Sequence, residues 1–389
     1  MSKRTIIILS AVGALVLIIG GVYFFTSNKN GTTGEGGGFF ADLFPGGGER
    51  NIEEEKLRGA EPSGQEAKVF SQLTNFPIAS ATAVNATSSV PIRYVEKSTG
   101  HIYEISPQGK DRNRLSNTTI LKIFETLWSP SANKIIMRYF NENAVSNFSA
   151  RFSTSTAAIE GIFLPQETVA VAVSPLEDKV FYLQQMENTN YGILTDFTNK
   201  KKDNIFSLPF SEFNITWPSK GIIAFVSKPS FGADGYLYFL DIKTKEFNKI
   251  IGKVKGLTAL VSTKADRVIY SQSAGKGFSA FVFNVKDKSS NGLGLTTLPE
   301  KCVWSKINSD VIYCAAPKSF PSADYPDEWY QGLVSFDDAI WQINVATGET
   351  QILYDETNAD AINPFLTADE NYFLFTNKKD LTLWSLKLK

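Results

Sequence analysis

Apolar and polar residues alternate with a period of two through most of the chain after residue 68. This pattern is typical of β-strands with one buried face. Strand-like segments such as Tyr236–Ile242 and Ala339–Val345 are followed by short polar turns. Helical solenoids of similar repeat length would need a 3.6-residue periodicity, which this part of the sequence lacks. The pattern therefore predicts an all-β domain built from antiparallel hairpins.

The strand-like segments recur at a fixed interval. A small turn residue, followed about six residues later by a β-rich run, marks positions 129, 174, 218, 262, 305 and 367. Successive marks lie 45, 44, 44, 43 and 62 residues apart. Leu-Pro pairs that begin at positions 164, 208 and 298 follow the same interval. Proline suits the end of an outer strand because it has no N–H for the sheet. A four-stranded repeat of about 40–45 residues predicts a β-propeller.

The number of blades follows from the marks. One interval before Ser129 lies Asn85, followed by the strand-like run Ile92–Val95, which adds a seventh, degenerate repeat. The last repeat ends after its third strand, while residues 68–73 form an unassigned strand before the first repeat. We expect residues 68–73 to be the outer strand of the last blade, because this closes the ring and leaves no free edge. The prediction is a seven-bladed propeller over residues 68–389.

Three repeats read WSPSANKIIMRY, VSPLEDKVFYL and WSKINSDVIYC. These motifs resemble the TolB-like (WD-type) family of propeller repeats, and the resemblance covers residues 68–389. The Asp-Gly turn usual in that family is replaced here by Ala-Asn, Glu-Asp or Ala-Asp. The resemblance implies a platform that docks a ligand or a protein in the cell envelope, and it implies no catalytic residues.

The N-terminus has a different character. Residues 5–25 are uncharged and rich in Ile, Leu and Val, and a helix of that length would rise about 31 Å, enough to cross a bilayer. A cleaved signal peptide is the alternative, but its apolar region is usually shorter, about 7–15 residues. Lys3 and Arg4 predict that the stub 1–4 is cytoplasmic and that the rest of the chain lies outside.

Residues 26–67 predict a flexible linker, because they are rich in glycine and then in acidic residues. Within the linker, Phe39, Phe40, Leu43 and Phe44 form an apolar island. The island is either a short docking or lipid-contacting motif or a few residues that lie against the folded domain.

Composition limits the chemistry. The chain has 39 basic and 40 acidic side chains and a net charge of -1, which gives no broad attraction for nucleic acid. It has one histidine, so a Ser-His-Asp site, a Cys-His site or a multi-histidine metal site would each depend on His101. We therefore expect no enzyme activity of these kinds and no cofactor.

The long interval before the last mark locates an insertion. Residues 317–338 fall between the second and third strands of blade six, on the face of a propeller where ligands usually bind. The insertion places aromatic rings beside carboxylates, which suits a sugar, a peptide or a cation. The alternative is a loop that packs on itself and in which Trp329 and Tyr330 plug the ring. The candidate ligand-binding residues are Asp324, Tyr325, Asp327, Glu328, Trp329, Tyr330 and Asp337.

The same carboxylates are compatible with two further hypotheses about function, glycan hydrolysis and calcium binding. Paired carboxylates about 5–10 Å apart could hydrolyse a glycan, although sequence neighbours do not establish such a distance. A calcium ion is also compatible with the acidic cluster. Cys302 and Cys314 fall opposite each other across a predicted hairpin, so they form either a disulfide or two buried thiols.

Together these features predict a single-pass membrane protein that presents a non-catalytic propeller outside the cytoplasm as a binding or scaffolding module. Its ligand would be an envelope protein or polymer. A glycan-active hydrolase that uses the insertion and the central funnel is the alternative.

Overall fold

The computed structural model describes residues 69–84, 90–142, 144–152, 157–209 and 212–389. The predicted stub, membrane segment, linker and apolar island lie outside these residues, as does Asn85. In the described ranges, no helix is long and apolar enough to cross a membrane.

The described chain folds into seven four-stranded antiparallel sheets, which confirms the predicted propeller. The strands of the first blade are β2–β5, Ile78–Ala83, Ile92–Glu96, Ile102–Ile105 and Asn113–Arg114. Those of the second are β6–β9, Ile123–Trp128, Lys134–Asn141, Ala144–Phe152 and Ile159–Phe163. Those of the third are β10–β13, Thr168–Val173, Lys179–Met186, Thr189–Asp196 and Asp203–Leu208. Those of the fourth are β14–β17, Phe213–Ser219, Ile222–Ser227, Asp234–Asp241 and Phe247–Lys255.

The remaining blades follow the same order. Those of the fifth are β18–β21, Thr258–Val261, Arg267–Ala274, Gly277–Asn284 and Ser289–Gly292. Those of the sixth are β22–β25, Cys302–Trp304, Val311–Pro317, Asp338–Asn344 and Thr350–Tyr354. Those of the seventh are β26–β28 and β1, Ala361–Leu366, Tyr372–Asn377, Leu383–Lys387 and Phe70–Gln72. The described helical elements are a 3-10 turn at Pro299–Lys301 and the short helix α1, Asp327–Tyr330.

The hydrophobic core is divided among the junctions between blades. A cluster of buried side chains lies at each of the seven junctions that the described strands form. At the junction of blades three and four, for example, Phe181 packs against Phe225 with ring centroids 5.9 Å apart. The cluster between blades seven and one joins Leu374 and Leu383 to Ile92 and Tyr94. The ring is therefore closed by packing at every junction.

The seventh blade combines both ends of the described chain. Its outer strand β1 pairs with β28, with Phe70 opposite Leu386 and Ser71 opposite Ser385. The Phe70 ring stacks on Tyr354 and Trp384 at centroid distances of 4.7 and 5.0 Å. This pairing covers the edge that β28 would otherwise expose.

The recurring turn residue has a structural reason. After the first strand of a blade, its side-chain oxygen accepts hydrogen bonds from backbone N–H groups of the same turn. These bonds satisfy donors that the tight turn leaves outside the sheet ladder. The residues that act in this way are Ser129, Ser174, Ser262, Ser305 and Thr367.

The propeller has two different faces. The turn face carries the turns that join the first to the second and the third to the fourth strand of each blade. The loop face carries the connections between blades and those between second and third strands. Residues 317–338 extend from the loop face, because they join β23 to β24.

A disulfide joins Cys302 on β22 to Cys314 on β23, where the two residues are directly opposite. Both cysteines are buried in the cluster between blades five and six. The bridge closes a short hairpin with a sequence separation of 12.

We expect the double variant Cys302→Ala/Cys314→Ala to lose about 3 kcal/mol of unfolding free energy, because the unfolded chain loses a loop constraint. Denaturant titration of oxidised wild type and the variant measures this difference. Reduced wild type should fall to the stability of the variant. A loss below about 0.5 kcal/mol would show that the bridge adds no stability.

Candidate functional site

The insertion between β23 and β24 begins with an exposed stretch and then forms helix α1. Its backbone bonds to the neighbouring blade, since Ala323 N–H donates to the carbonyl of Lys276 at 3.1 Å. The hydroxyl of Ser273 on β19 donates to the carbonyl of Tyr325 at 2.5 Å. The insertion of blade six is thus held against the loop face of blade five.

Three aromatic rings of the insertion form a buried cluster of their own. Tyr325, Trp329 and Phe336 are at most 2% exposed. The Phe336 ring stacks on Tyr325 and on Trp329 at centroid distances of 5.8 and 5.9 Å. Phe278 of β20 and Leu298 complete the cluster. The insertion therefore contributes a small hydrophobic core on top of blades five and six.

A buried cation and two carboxylates lie beneath this aromatic cluster. The Lys301 ammonium lies 2.5 Å from Asp360 Oδ1 and 2.8 Å from Asp338 Oδ2, and all three side chains are fully buried. Its third donor bonds to the Ala361 carbonyl at 3.0 Å. The ammonium also lies 5.3 Å from the centroid of the Trp329 ring. Lys301 thus has a partner for each of its donors.

The two carboxylates of this cluster differ in their partners. Asp360 Oδ2 accepts from the Trp329 indole N–H at 2.9 Å and from the Phe336 N–H at 3.1 Å. Asp338 Oδ2 accepts from the Ala361 N–H at 2.7 Å, whereas its buried Oδ1 has no hydrogen-bond partner among the described residues. The cluster joins the 3-10 turn, the insertion and the start of β26.

Burial raises the pKa of Asp338 to about 6, and the Lys301 ammonium opposes this shift. A carboxyl in the unfolded chain has a pKa of about 3.9, so the folded protein binds more protons between about pH 4 and 6. The contribution of Asp338 to stability therefore falls as the pH rises through this window.

We expect the unfolding free energy of wild type to fall by about 1 kcal/mol through Asp338 as the pH rises from 5 to 7. The Asp338→Asn variant should lack this part of the pH dependence. Denaturant titrations of both proteins at the two pH values measure it. Asp337→Asn is the matched control, because Asp337 is partly exposed in an ion pair with Lys318. Equal pH dependence in Asp338→Asn and wild type would contradict the assignment.

Two further carboxylates of the insertion, those of Asp324 and Asp327, have partners on other blades. Asp324 forms an ion pair with Lys276 at 2.8 Å. Asp327 accepts from the Phe231 N–H at 2.8 Å and from the Ser230 hydroxyl at 3.1 Å, both on blade four. These contacts fix the insertion to blades four and five.

Tyr330 and Glu300 form a polar pair at the edge of the insertion. The Tyr330 hydroxyl donates a hydrogen bond to Glu300 Oε1. Burial raises the pKa of Glu300, and the hydrogen bond from Tyr330 opposes the shift. Burial also raises the pKa of Tyr330, and the charge of Glu300 adds to this. At neutral pH the tyrosine is therefore the hydrogen-bond donor in this pair.

The structure separates the seven predicted ligand-binding residues into two groups. Tyr325 and Trp329 are buried and face the protein, as in the self-packed alternative. Tyr330 is 41% exposed, and Asp324, Asp327, Glu328 and Asp337 are partly buried. Their use by a ligand stays a prediction.

Sequence reasoning missed the buried cluster that supports the insertion. Lys301, Asp360 and Glu300 were not predicted as site residues. The available signal is the pair Glu300-Lys301 between a Leu-Pro marker and the apolar strand β22, where a buried segment begins. In the part of the chain that the structure describes, no group of three or more His, Cys, Asp or Glu residues is arranged to hold a metal ion.

An apolar surface lies on the loop face of blades two and three. Phe124 and Phe140 are 37% and 50% exposed, with ring centroids 4.9 Å apart. Arg138 lies over the Phe124 ring and donates to the carbonyl of Val169 on blade three. Phe163, which is 61% exposed, lines a nearby groove of about 450 Å³. We call Phe124, Phe140, Phe163 and Val169 the loop-face apolar surface.

Solved structures share the fold of this chain. An oligogalacturonate lyase from Vibrio parahaemolyticus is similar with a TM-score of 0.55 and 10% identity, over 82% of this chain and 93% of that one. An oligogalacturonate lyase in complex with manganese is similar with a TM-score of 0.54 and 11% identity, over the same shares. At this identity the likeness concerns the propeller fold alone.

TolB from Acinetobacter baumannii is also similar, with a TM-score of 0.44 and 13% identity. The alignment spans 67% of this chain and 61% of that structure. Neither a family model nor a curated protein matches the chain.

Proposed function

We propose that the chain is a membrane-anchored, extracytoplasmic propeller that acts as a non-catalytic binding or scaffolding module of the cell envelope. Its ligand is an envelope protein or polymer. The anchor is the apolar segment 5–25, and the linker 26–67 tethers the propeller to it. The resemblance of the repeats to TolB-like propellers supports the same kind of role.

The observation that carries the proposal is the use of the insertion's chemical groups within the fold. The aromatic rings of Tyr325 and Trp329 are buried, and Asp324 and Asp327 bond to neighbouring blades. A hydrolytic pair of carboxylates needs to face a substrate. Asp324 and Asp327 are thus engaged in contacts within the protein, which disfavours hydrolysis by this pair.

We place the binding area on the loop-face apolar surface. Exposed apolar side chains that form a contiguous patch mark interaction sites more often than exposed apolar side chains that are scattered singly. Phe163 and the adjacent groove combine an exposed ring with polar atoms of Asn141 and Gln166. This mixture suits a ligand with both apolar and hydrogen-bonding groups.

Membrane fractionation tests the anchor. We expect the full chain to stay in the membrane fraction after an alkaline wash, and a variant without residues 5–25 to become soluble. Protease added outside intact cells should digest the linker and release the propeller. Release by the alkaline wash, or protection of the linker in intact cells, would contradict the proposal.

Site-specific photo-crosslinking tests the binding area. A benzoylphenylalanine at Phe163 of the full chain, in the producing organism, should form a discrete adduct that disappears in the Phe124→Ser/Phe140→Ser background. The matched control is the same probe at Ile352, which is 49% exposed on the outer strand β25. The same adduct from both positions would contradict a specific site, as would no adduct at Phe163.

A glycan-directed hydrolase is the second candidate, and Glu300 is the residue that favours it. Burial raises the pKa of Glu300, which favours the protonated form that a general acid needs. Incubation of the full chain with a panel of oligosaccharides tests this. The binding module predicts no turnover. Turnover that is lost in Glu300→Gln would favour the hydrolase.

A further inference from the structure

The turn face of blades three, four and five carries many exposed lysines. Each of the three blades contributes at least three, from the first residue of a strand or from a turn. We call these ten side chains the basic turn surface: Lys179, Lys200, Lys201, Lys202, Lys220, Lys243, Lys245, Lys264, Lys286 and Lys288.

Acidic side chains offset this charge only in part. Four are exposed at the same end of these blades: Asp203, Glu246, Asp266 and Asp287. Four more are partly buried. Asp196 and Asp241 accept hydrogen bonds from the N–H groups of Thr198 and Lys243, both at 2.8 Å, while Glu177 pairs with Lys179 and Lys220 and Asp178 pairs with Lys134. The ten lysines therefore exceed the eight acidic side chains at this end by two positive charges.

At the opposite end of the same three blades, the exposed positive and negative charges are equal in number. This end exposes Lys228, Lys253, Lys255 and Lys276 together with Glu167, Glu187, Glu212 and Asp234. Four positive charges there meet four negative charges, so the excess of lysine is a property of the turn face. A one-sided excess of charge creates a field that orients the domain toward a surface of opposite sign.

Two apolar side chains project from the same face. Leu176 and Ile307 are each 66% exposed, and both lie in turns between first and second strands. Leu176 is next to the lysines of blade three, between Pro175 and Glu177. Apolar residues beside lysines are typical of surfaces that contact a lipid interface, where the lysines bind headgroups and the apolar groups enter between them.

The linker also joins the propeller on this face. Val69, the first described residue, accepts a hydrogen bond at 2.8 Å from the N–H of Lys387, near the C-terminal end of β28. Third strands run from the loop face to the turn face, so Val69 lies at the turn face. The chain that comes from the proposed membrane segment therefore reaches the propeller beside Lys387 and Lys389.

We propose that the turn face docks on an anionic phospholipid surface through the basic turn surface, with Leu176 and Ile307 at the interface. This inference rests on the proposed membrane anchor and adds an orientation to it. The lysines bind phosphate headgroups, and the loop face with its apolar surface points away from the bilayer. A lipid is favoured over a soluble polyanion by the exposed aliphatic side chains and by the position of Val69.

Collisional quenching in proteoliposomes tests the orientation. The full chain carries a fluorophore at Ile307→Cys, or at Leu333→Cys, which is 69% exposed in the insertion. The vesicles contain lipids with a quenching group, in either neutral phosphatidylcholine or a mixture with about 30% phosphatidylglycerol. We expect the probe at 307 to be quenched at least fivefold more in the anionic vesicles and the probe at 333 to be unaffected.

Charge reversal supplies the matched comparison. Lys200→Glu/Lys201→Glu/Lys202→Glu should remove most of the quenching at 307, as should about 0.5 M salt. Lys228→Glu/Lys253→Glu/Lys255→Glu makes the same change in net charge on the other face and should leave the quenching intact. Circular dichroism establishes that both variants are folded.

The outcomes separate this inference from the anchor. A full chain that does not float with neutral vesicles contradicts the anchor. A chain that floats, but whose quenching is the same in neutral and anionic vesicles, contradicts docking through the turn face. Binding of soluble polyphosphate by the basic turn surface, without quenching in anionic vesicles, would also contradict docking on lipid. The ligand of this surface would then be a soluble polyanion.

Discussion

Replacing Lys301 by methionine is expected to lower the unfolding free energy by about 3–5 kcal/mol. The substitution leaves the carboxylates of Asp338 and Asp360 fully buried without the cation that lies 2.8 and 2.5 Å from them. A buried charge that loses its partner keeps its desolvation cost. Because Asp360 also holds Trp329 and Phe336, the insertion should loosen together with the cluster.

Denaturant titration of the variant and wild type at pH 7 measures this loss. The control is Lys276→Met, which breaks an ion pair whose lysine is 61% exposed and should cost less than about 1 kcal/mol. The cost of Lys301→Met should shrink at pH 5, because protonation of Asp338 removes part of the uncompensated charge. A loss as small as that of Lys276→Met would mean that the buried cluster does not hold the insertion.

Replacing Phe70 by aspartate is expected to cost about 4 kcal/mol of unfolding free energy. Phe70 lies in the closing strand β1 and stacks on Tyr354, Trp384 and Phe375, at centroid distances of 4.7, 5.0 and 6.2 Å. A carboxylate at this position loses these contacts and places a charge among aromatic rings. The effect should be large because β1 is what completes the seventh blade.

Thermal and denaturant unfolding of full-length Phe70→Asp test this expectation. Gln72→Asp is the matched control, since Gln72 is exposed in the same strand and its replacement should cost less than about 0.5 kcal/mol. Similar losses in the two variants would indicate that β1 contributes little to the ring.

The repeat was predictable because its marks have local causes. The hydroxyl oxygens of Ser174 and Ser305 accept hydrogen bonds from N–H groups two and three residues ahead. Adjacent residues therefore determine the turn. The alternation of each strand likewise follows from the burial of one face against the next blade. Such signals survive in a single sequence because they do not depend on distant partners.

The support of the insertion was not predictable in the same way. Lys301 meets Asp338 and Asp360 only through the packing of blades six and seven, and nothing near Lys301 in the sequence indicates these partners. The orientation of the side chains in the insertion could not be predicted from the sequence either. Trp329 and Tyr330 are adjacent aromatic residues, yet one is 1% and the other 41% exposed. The difference arises because the Trp329 indole N–H finds Asp360, whereas Tyr330 lies at the edge beside Glu300.

The two faces matter for every functional proposal, and they depend on how the chain joins the ring. Because β1 pairs with β28, Val69 lies at the turn face, opposite the insertion. In the proposed docking, the turn face meets the membrane and the loop face stays free for a ligand.

Disulfide trapping between β1 and β28 tests this arrangement most directly. Ser71 lies directly opposite Ser385, and both natural cysteines are already bridged to each other. Oxidation of full-length Ser71→Cys/Ser385→Cys should produce an intramolecular 71–385 link, detected by mass spectrometry of the digested protein, with no loss of unfolding free energy relative to the reduced variant. Ser71→Cys combined with Ser290→Cys on β21 should remain unlinked. Absence of the 71–385 link in folded protein, or a link only between molecules, would contradict the closed seven-bladed ring.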